Sequence, residues 1–206
     1  MKKDVSKKSV KKSTTKALSK KTTLTFKQAF NYPFNRAKGL WNILWILVPI
    51  IGWFALFGYC VRIIQEFCKG EFKKLPVFKF GNDLKLGVNM FLKSLPFVIA
   101  YIGVVNSLGV ISEGLGSAAE LFIGIFIIPL LTINFFKKQT INSFFEFKIL
   151  NAVFTNMGDY LKAIVKTILL AIVFILMMII LVGIPASAFT NNIFLADFYR
   201  RKVSQK

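Results

Sequence analysis

Histidine is absent from this 206-residue chain. That removes imidazole-ligated metals and every acid–base scheme that runs through a histidine. Cysteine is nearly absent too. Cys60 and Cys68 are the only two and no Cys-x-x-Cys pair exists, so a cysteine-rich metal centre has no ligands, and the two read as reduced, buried thiols. Nine acidic residues stand against 28 Lys and Arg, and no pair of them falls inside a predicted membrane span for general acid–base work. Walker loops, dinucleotide fingerprints, nucleophile elbows and zincin helices are missing as well. On this reading the chain is not an enzyme, holds no cofactor and binds no metal.

What is present is apolar bulk with cationic punctuation. Hydrophobic residues make up 55% of the chain and 23 residues are Phe, more than a soluble domain of this size carries. All 28 basic residues fall in four stretches, 1–38, 62–94, 137–166 and 200–206. Between them lie blocks 40–61, 95–136 and 167–196. A helix needs about 20 apolar residues to cross a bilayer core, and a Lys or Arg at its centre costs about 3 kcal/mol. The layout predicts an all-α, polytopic transmembrane helical bundle: a disordered basic tail over 1–25, one transmembrane domain over 26–203, and a short tail over 204–206.

The net charge of +19 does not point to nucleic acid, because no aromatic residue interleaves the lysines before Phe26. It points to anionic lipid headgroups, which attract juxtamembrane Lys and Arg. A membrane protein partner or a second copy of the chain is the other expected contact.

Three stretches read as amphipathic helices at the interface. Residues 26–38 put Phe26, Phe30 and Phe34 on one face. Residues 81–95 do the same with Leu84, Val88 and Phe91, and residues 144–162 with Phe144, Phe147, Leu150, Phe154 and Leu161. Ser112–Ser117 reads as a tight turn, closed by a capping box between Ser117 and Glu120.

Charge then orders the blocks. Connector 112–117 is the one without a basic residue and belongs outside, while the basic connectors and both termini belong in the cytoplasm of a cell-membrane protein. Two topologies follow. Three successive helical hairpins, each preceded by an interfacial stretch, satisfy the charge rule everywhere, with helix breaks at Pro49, Gly52, Gly183 and Pro185 as the outer tips. Four simple transmembrane crossings violate it at two connectors.

Polar residues within the apolar blocks suggest a candidate intramembrane cavity: Asn106, Asn134, Thr190, Asn191, Asn192 and Asp197. Asp197 is also placed to pair with Arg200 one helical turn on. The spaced pair Gly103 and Ser107 would admit a close helix neighbour. These features fit an interaction or assembly subunit, or alternatively a small transporter or channel with its polar cavity beside the Pro-broken hairpins.

Tyr32-Pro33-Phe34 before Trp41, Gly58-Tyr59-x-x-Arg62, Leu75-Pro76 and the Asp83/Gly87 stretch resemble small polytopic proteins grouped as domain of unknown function four thousand and thirteen, over roughly residues 30–200. Phe78 stands where such proteins carry Trp after Leu-Pro. The resemblance implies an integral membrane protein with several helices, and no activity or catalytic residue.

Overall fold

The computed structural model describes residues 23–204. The tail expected over 1–25 therefore lies almost wholly outside the described residues, as do 205 and 206. Its last two positions belong to the folded body. Leu24 is buried, with its backbone N–H donating to Asp197 Oδ2 at 3.1 Å. Thr25 caps helix α1 (Phe26–Asn31) in a reciprocal capping box with Gln28, which satisfies two otherwise orphaned donors.

The first hairpin begins with a 3-10 arm, Phe34–Leu47, kinked at Arg36. At about 2.0 Å per residue, a 3-10 helix reaches farther than an α-helix of equal length, so this short arm keeps pace with its partner. The chain reverses over Val48–Ile50, where Ile50 has φ 63°, and returns as α2 (Ile51–Lys69). Pro49 and Gly52 sit at this tip. A Cβ on Gly52 would lie 1.8 Å from the Trp45 carbonyl oxygen, and Trp53 Nε1 donates to Ile46 O at 2.9 Å across the turn.

The second hairpin pairs α3 (Phe80–Ile111) with a composite helix: α4 (Glu113–Phe122), a π-helical turn at Ile123–Ile127, and α5 (Ile128–Lys138). Two sequence expectations fail here. Residues 81–95 are not a separate interfacial helix, because α3 continues unbroken through Pro96. The reversal is not the six-residue turn 112–117 but Ser112 alone, and residues 113–117 are already helical. No capping box forms at Ser117 because that residue lies inside the helix. Gly116 makes the one-residue reversal possible: its Cβ would fall 2.8 Å from Gly109 Cα.

After Lys138 the expected amphipathic helix 144–162 is also broken. It consists of 3-10 turns at Ile141–Phe145 and Phe147–Leu150, then α6 (Asn151–Thr155), with breaks at Glu146 and Asn156. Its apolar residues do not share one buried face, since Phe144 and Leu150 are buried while Phe147, Phe154 and Leu161 are exposed, and Glu146 leaves helical geometry to meet Asn134 and Lys138.

The third hairpin runs up α7 (Met157–Leu176) and a 3-10 turn (Met177–Ile180), reverses at Leu181 (φ 58°), and returns through α8 (Gly183–Thr190) and α9 (Ile193–Lys202). A Cβ on Gly183 would meet the Phe174 carbonyl oxygen at 2.0 Å. Pro185 occupies the first turn of α8, where a missing N–H leaves no intrahelical bond unmade.

Among the described residues the chain reverses at Val48–Ile50, at Ser112 and at Leu181, giving three successive helical hairpins. Among the described residues, four helical stretches are long and apolar enough to cross a bilayer: Ile51–Lys69, Phe80–Ile111, Glu113–Lys138 and Met157–Ile180. Only the first turns of α3 lie against α2, with Phe54 packing on Phe91 at 5.2 Å. The remaining twenty residues of α3 extend about 30 Å further at the α-helical rise, flanked by α4. Aromatic rings fill the junctions between hairpins. Tyr59 meets Phe189 at 5.1 Å, Phe57 meets Phe136 at 5.8 Å, and Phe30 stacks on Phe174 at 5.6 Å.

Candidate functional site

The open ends of the three hairpins meet in a polar base, and most of the buried polar side chains collect there. Each is brought in by a different element. Asp83, in the first turn of α3, is 1% exposed and accepts from Arg62 of α2 at 2.8 Å and from the Lys79 backbone N–H at 2.7 Å. The same guanidinium donates to the Val77 carbonyl at 2.7 Å. The carboxylate holds the backbone at the start of α3 and clamps the helix to α2.

α2 and α3 cross here with backbone touching backbone. A Cβ on Gly58 would lie 1.9 Å from Asp83 O, and one on Gly87 would lie 1.8 Å from Phe54 O. Tyr59 donates its hydroxyl to Pro76 O at 3.1 Å, and Leu75 is buried against Gly39. Gly58-Tyr59-x-x-Arg62, Leu75-Pro76 and Asp83/Gly87, separated in the sequence, are therefore one helix crossing.

The second cluster joins hairpins two and three. Asn134 of α5 donates to Ser143 O at 2.7 Å and to Glu146 Oε2 at 3.2 Å, and accepts the hydroxyl of Tyr199 from α9. Lys138 pairs with the same Glu146 carboxylate. That hydrogen bond from Lys138 holds the Glu146 carboxyl below its ordinary value, against a smaller opposing push from burial and with further help from Asn134. A depressed carboxyl stabilises the fold above its unfolded pKa of about 4.3, and that stabilisation is lost as pH falls through the folded value. The pair is half exposed, so its weight is small. In a detergent melt series from pH 6 downward, Glu146→Gln should flatten the acid-side fall of the unfolding midpoint by no more than about 3 °C.

The third cluster centres on Asp197 of α9, 2% exposed. Its Oδ1 accepts from Arg200 Nε at 3.2 Å, and its Oδ2 accepts from Arg201 Nε at 2.9 Å and from the Leu24 N–H. Arg201 and Lys202 also reach Asp159 of α7 at 3.9 and 3.1 Å. The Arg200 contact was legible from the i,i+3 spacing. The i,i+4 spacing of Asp197 and Arg201 carries the same signal, whereas the parts of Leu24 and Asp159 were not legible, since they depend on which elements lie beside α9.

The residues grouped as an intramembrane cavity do not share one. Thr190 and Asn191 line a cleft of about 230 Å³ between α7 and α8. Asp197 lines a different cleft, of about 280 Å³. Asn134 is buried in the cluster described above. Thr190 spends its hydroxyl on Ala186 O at 2.7 Å. Asn191 and Asn192 form the turn between α8 and α9, with Asn192 at φ 66°, a left-handed conformation that Asn tolerates better than most residues. Asn106 is exposed on α3. Gly103, with Ser107 donating to its carbonyl at 2.8 Å, has open space around it rather than a close helix within the chain.

A sequence pattern described as "Protein of unknown function (DUF4013)" matches residues 42–183, more than half of the chain. The chain belongs to the DUF4013 family. The match takes in the α2/α3 crossing, the whole central hairpin and α7, but stops at the start of α8, so it is narrower than the expected 30–200. No curated protein and no solved structure matches the chain. For this DUF4013 protein the family adds membership and no activity. The helices long and apolar enough to span a bilayer fit a membrane protein.

Proposed function

We propose that this DUF4013 protein is a non-enzymatic membrane component that works through protein contacts, as an assembly or accessory subunit. In this reading the three hairpins enter the bilayer from the cytoplasmic side, and the cationic base and both termini stay in the cytoplasm. One observation carries it: the polar side chains gathered at the base are bonded to one another. Arg62 with Asp83 and Tyr199 with Asn134 tie hairpin to hairpin, and Asp197 holds the Leu24 backbone to α9, while apolar side chains such as Ile99, Val110, Leu121, Ile172 and Ile179 face outward. Polar groups used as struts leave recognition to the apolar arms and the charged base.

A small transporter is the second reading, supported by the cleft at Thr190 and Asn191 beside a broken helix. Two measurements separate them. Extraction in mild detergent should recover a stoichiometric partner or a defined homo-oligomer, and a consistently solitary protomer would count against the subunit reading. In reconstituted vesicles, an ion or solute flux abolished by Asn191→Leu would favour the transporter. Orientation has its own test. With Cys60 and Cys68 replaced by Ala, an impermeant maleimide should label Leu115→Cys in intact cells, and Lys73→Cys and Thr140→Cys only after permeabilisation.

A further inference from the structure

The cleft between α7 and α9 holds more positive charge than its own carboxylates neutralise. It measures about 280 Å³ and is lined by Leu24, Asp159, Lys162, Lys166, Asp197 and Arg201 among others. Three cations that line it (Lys162, Lys166 and Arg201) face two carboxylates (Asp159 and Asp197), which leaves one positive charge. Arg200, Arg201 and Lys202 are engaged with those carboxylates. Lys162 and Lys166 make no ion pair among the described residues. Lys162 is exposed and Lys166 half-buried, with its Nζ 5.8 Å from the Phe194 ring centroid.

The two lysines are one helical turn apart, and their face of α7 continues away from the base as Val165, Leu169, Ile172 and Leu176, all exposed. The surface is therefore a cationic recess at the head of an apolar rail. A free phosphate would use the recess and leave the rail bare. A lipid uses both, with its phosphodiester against Lys162, Lys166 and Arg201 and its acyl chains along the rail.

We propose that this cleft is a binding site for an acidic glycerophospholipid. The site deepens the membrane reading above and rests on it. The carboxylates give it selectivity. Asp159 and Asp197 keep Arg201 and Lys202 in place, and Asp159 would repel a second anionic group.

The test uses the full chain in vesicles, with a fluorophore on Leu169→Cys in a Cys60→Ala, Cys68→Ala background. Nitroxide-labelled phosphatidylglycerol or phosphatidylcholine serves as quencher. Phosphatidylglycerol should quench at a much lower mole fraction than phosphatidylcholine. Lys162→Gln with Lys166→Gln should raise its half-quenching fraction by about tenfold or more, given roughly fivefold per basic residue, and leave phosphatidylcholine unchanged. Lys148→Gln, an exposed lysine outside the cleft, should change neither.

Equal quenching by the two lipids, or an equal loss with Lys148→Gln, would overturn the site in favour of general surface charge. Displacement of phosphatidylglycerol by millimolar inorganic phosphate would assign the recess to a free anion and overturn the lipid. Alkaline carbonate separates the two levels. If it washes the wild-type chain out of the bilayer, the membrane reading falls and the site with it. Equal quenching in a carbonate-resistant chain removes the site alone.

Discussion

Gly87→Val should leave a chain that cannot dock α2 on α3. A Cβ at this position meets the Phe54 carbonyl oxygen at 1.8 Å and Gly58 N at 3.0 Å. Both are backbone atoms, so no rotamer change relieves the clash, and the helices must separate. Separation also pulls Arg62 from Asp83 and Phe54 from Phe91. Overpacking a tight interface costs about 3 kcal/mol at its upper usual range, which lowers an unfolding midpoint by about 10 °C for a chain of this size. Loss of a monodisperse peak in mild detergent would be the extreme of the same result. The control is Gly103→Val on the same helix, where a Cβ meets nothing within 4 Å. Its midpoint should stay within about 2 °C of wild type. Equal damage from both substitutions would show that helix propensity, not the crossing, governs the effect.

Asp197→Leu should cost as much by a different route. The substitution takes away the buried carboxylate shared by Arg200 and Arg201 and the acceptor of the Leu24 N–H. Breaking a buried ion pair from one side costs about 3–5 kcal/mol, and here the start of the described chain is released as well. Asp159→Asn removes a more exposed partner, 39% accessible at its side chain, and should cost less than about 1 kcal/mol. Asp197→Leu combined with Arg200→Met should recover part of the loss, because an apolar pair removes both desolvated charges together. Detergent melts of the four chains give the comparison. If the double variant falls below Asp197→Leu alone, the pair is not what holds α9 in place.

Both predictions concern contacts that pattern reading reached only in part. Pro49, Gly52 and Gly183 were legible as chain reversals because Pro and Gly act on their own backbone. The alternation of apolar and cationic stretches was legible because Lys and Arg report their own solvation cost. Gly58 and Gly87 were visible as residues of a family resemblance, but nothing in their spacing says that one sits against the other's helix. The stretch 144–162 shows the opposite failure. Its apolar spacing is helical, yet Glu146 and Asn156 break it, and Glu146 does so for partners on another helix. The six polar residues failed as a group for the same reason. Depth in an apolar block is readable from the sequence, but the direction a side chain faces depends on the neighbour it meets.

The sequence alone determined which stretches of this protein are apolar enough for lipid and which must stay in water, because transfer free energy is carried by each residue and adds along the chain. Only the tertiary structure decided which polar groups share a partner. Leu24 and Asp197 meet across 173 positions, and that meeting depends on how three hairpins lie against one another, a property of shape that no single stretch contains.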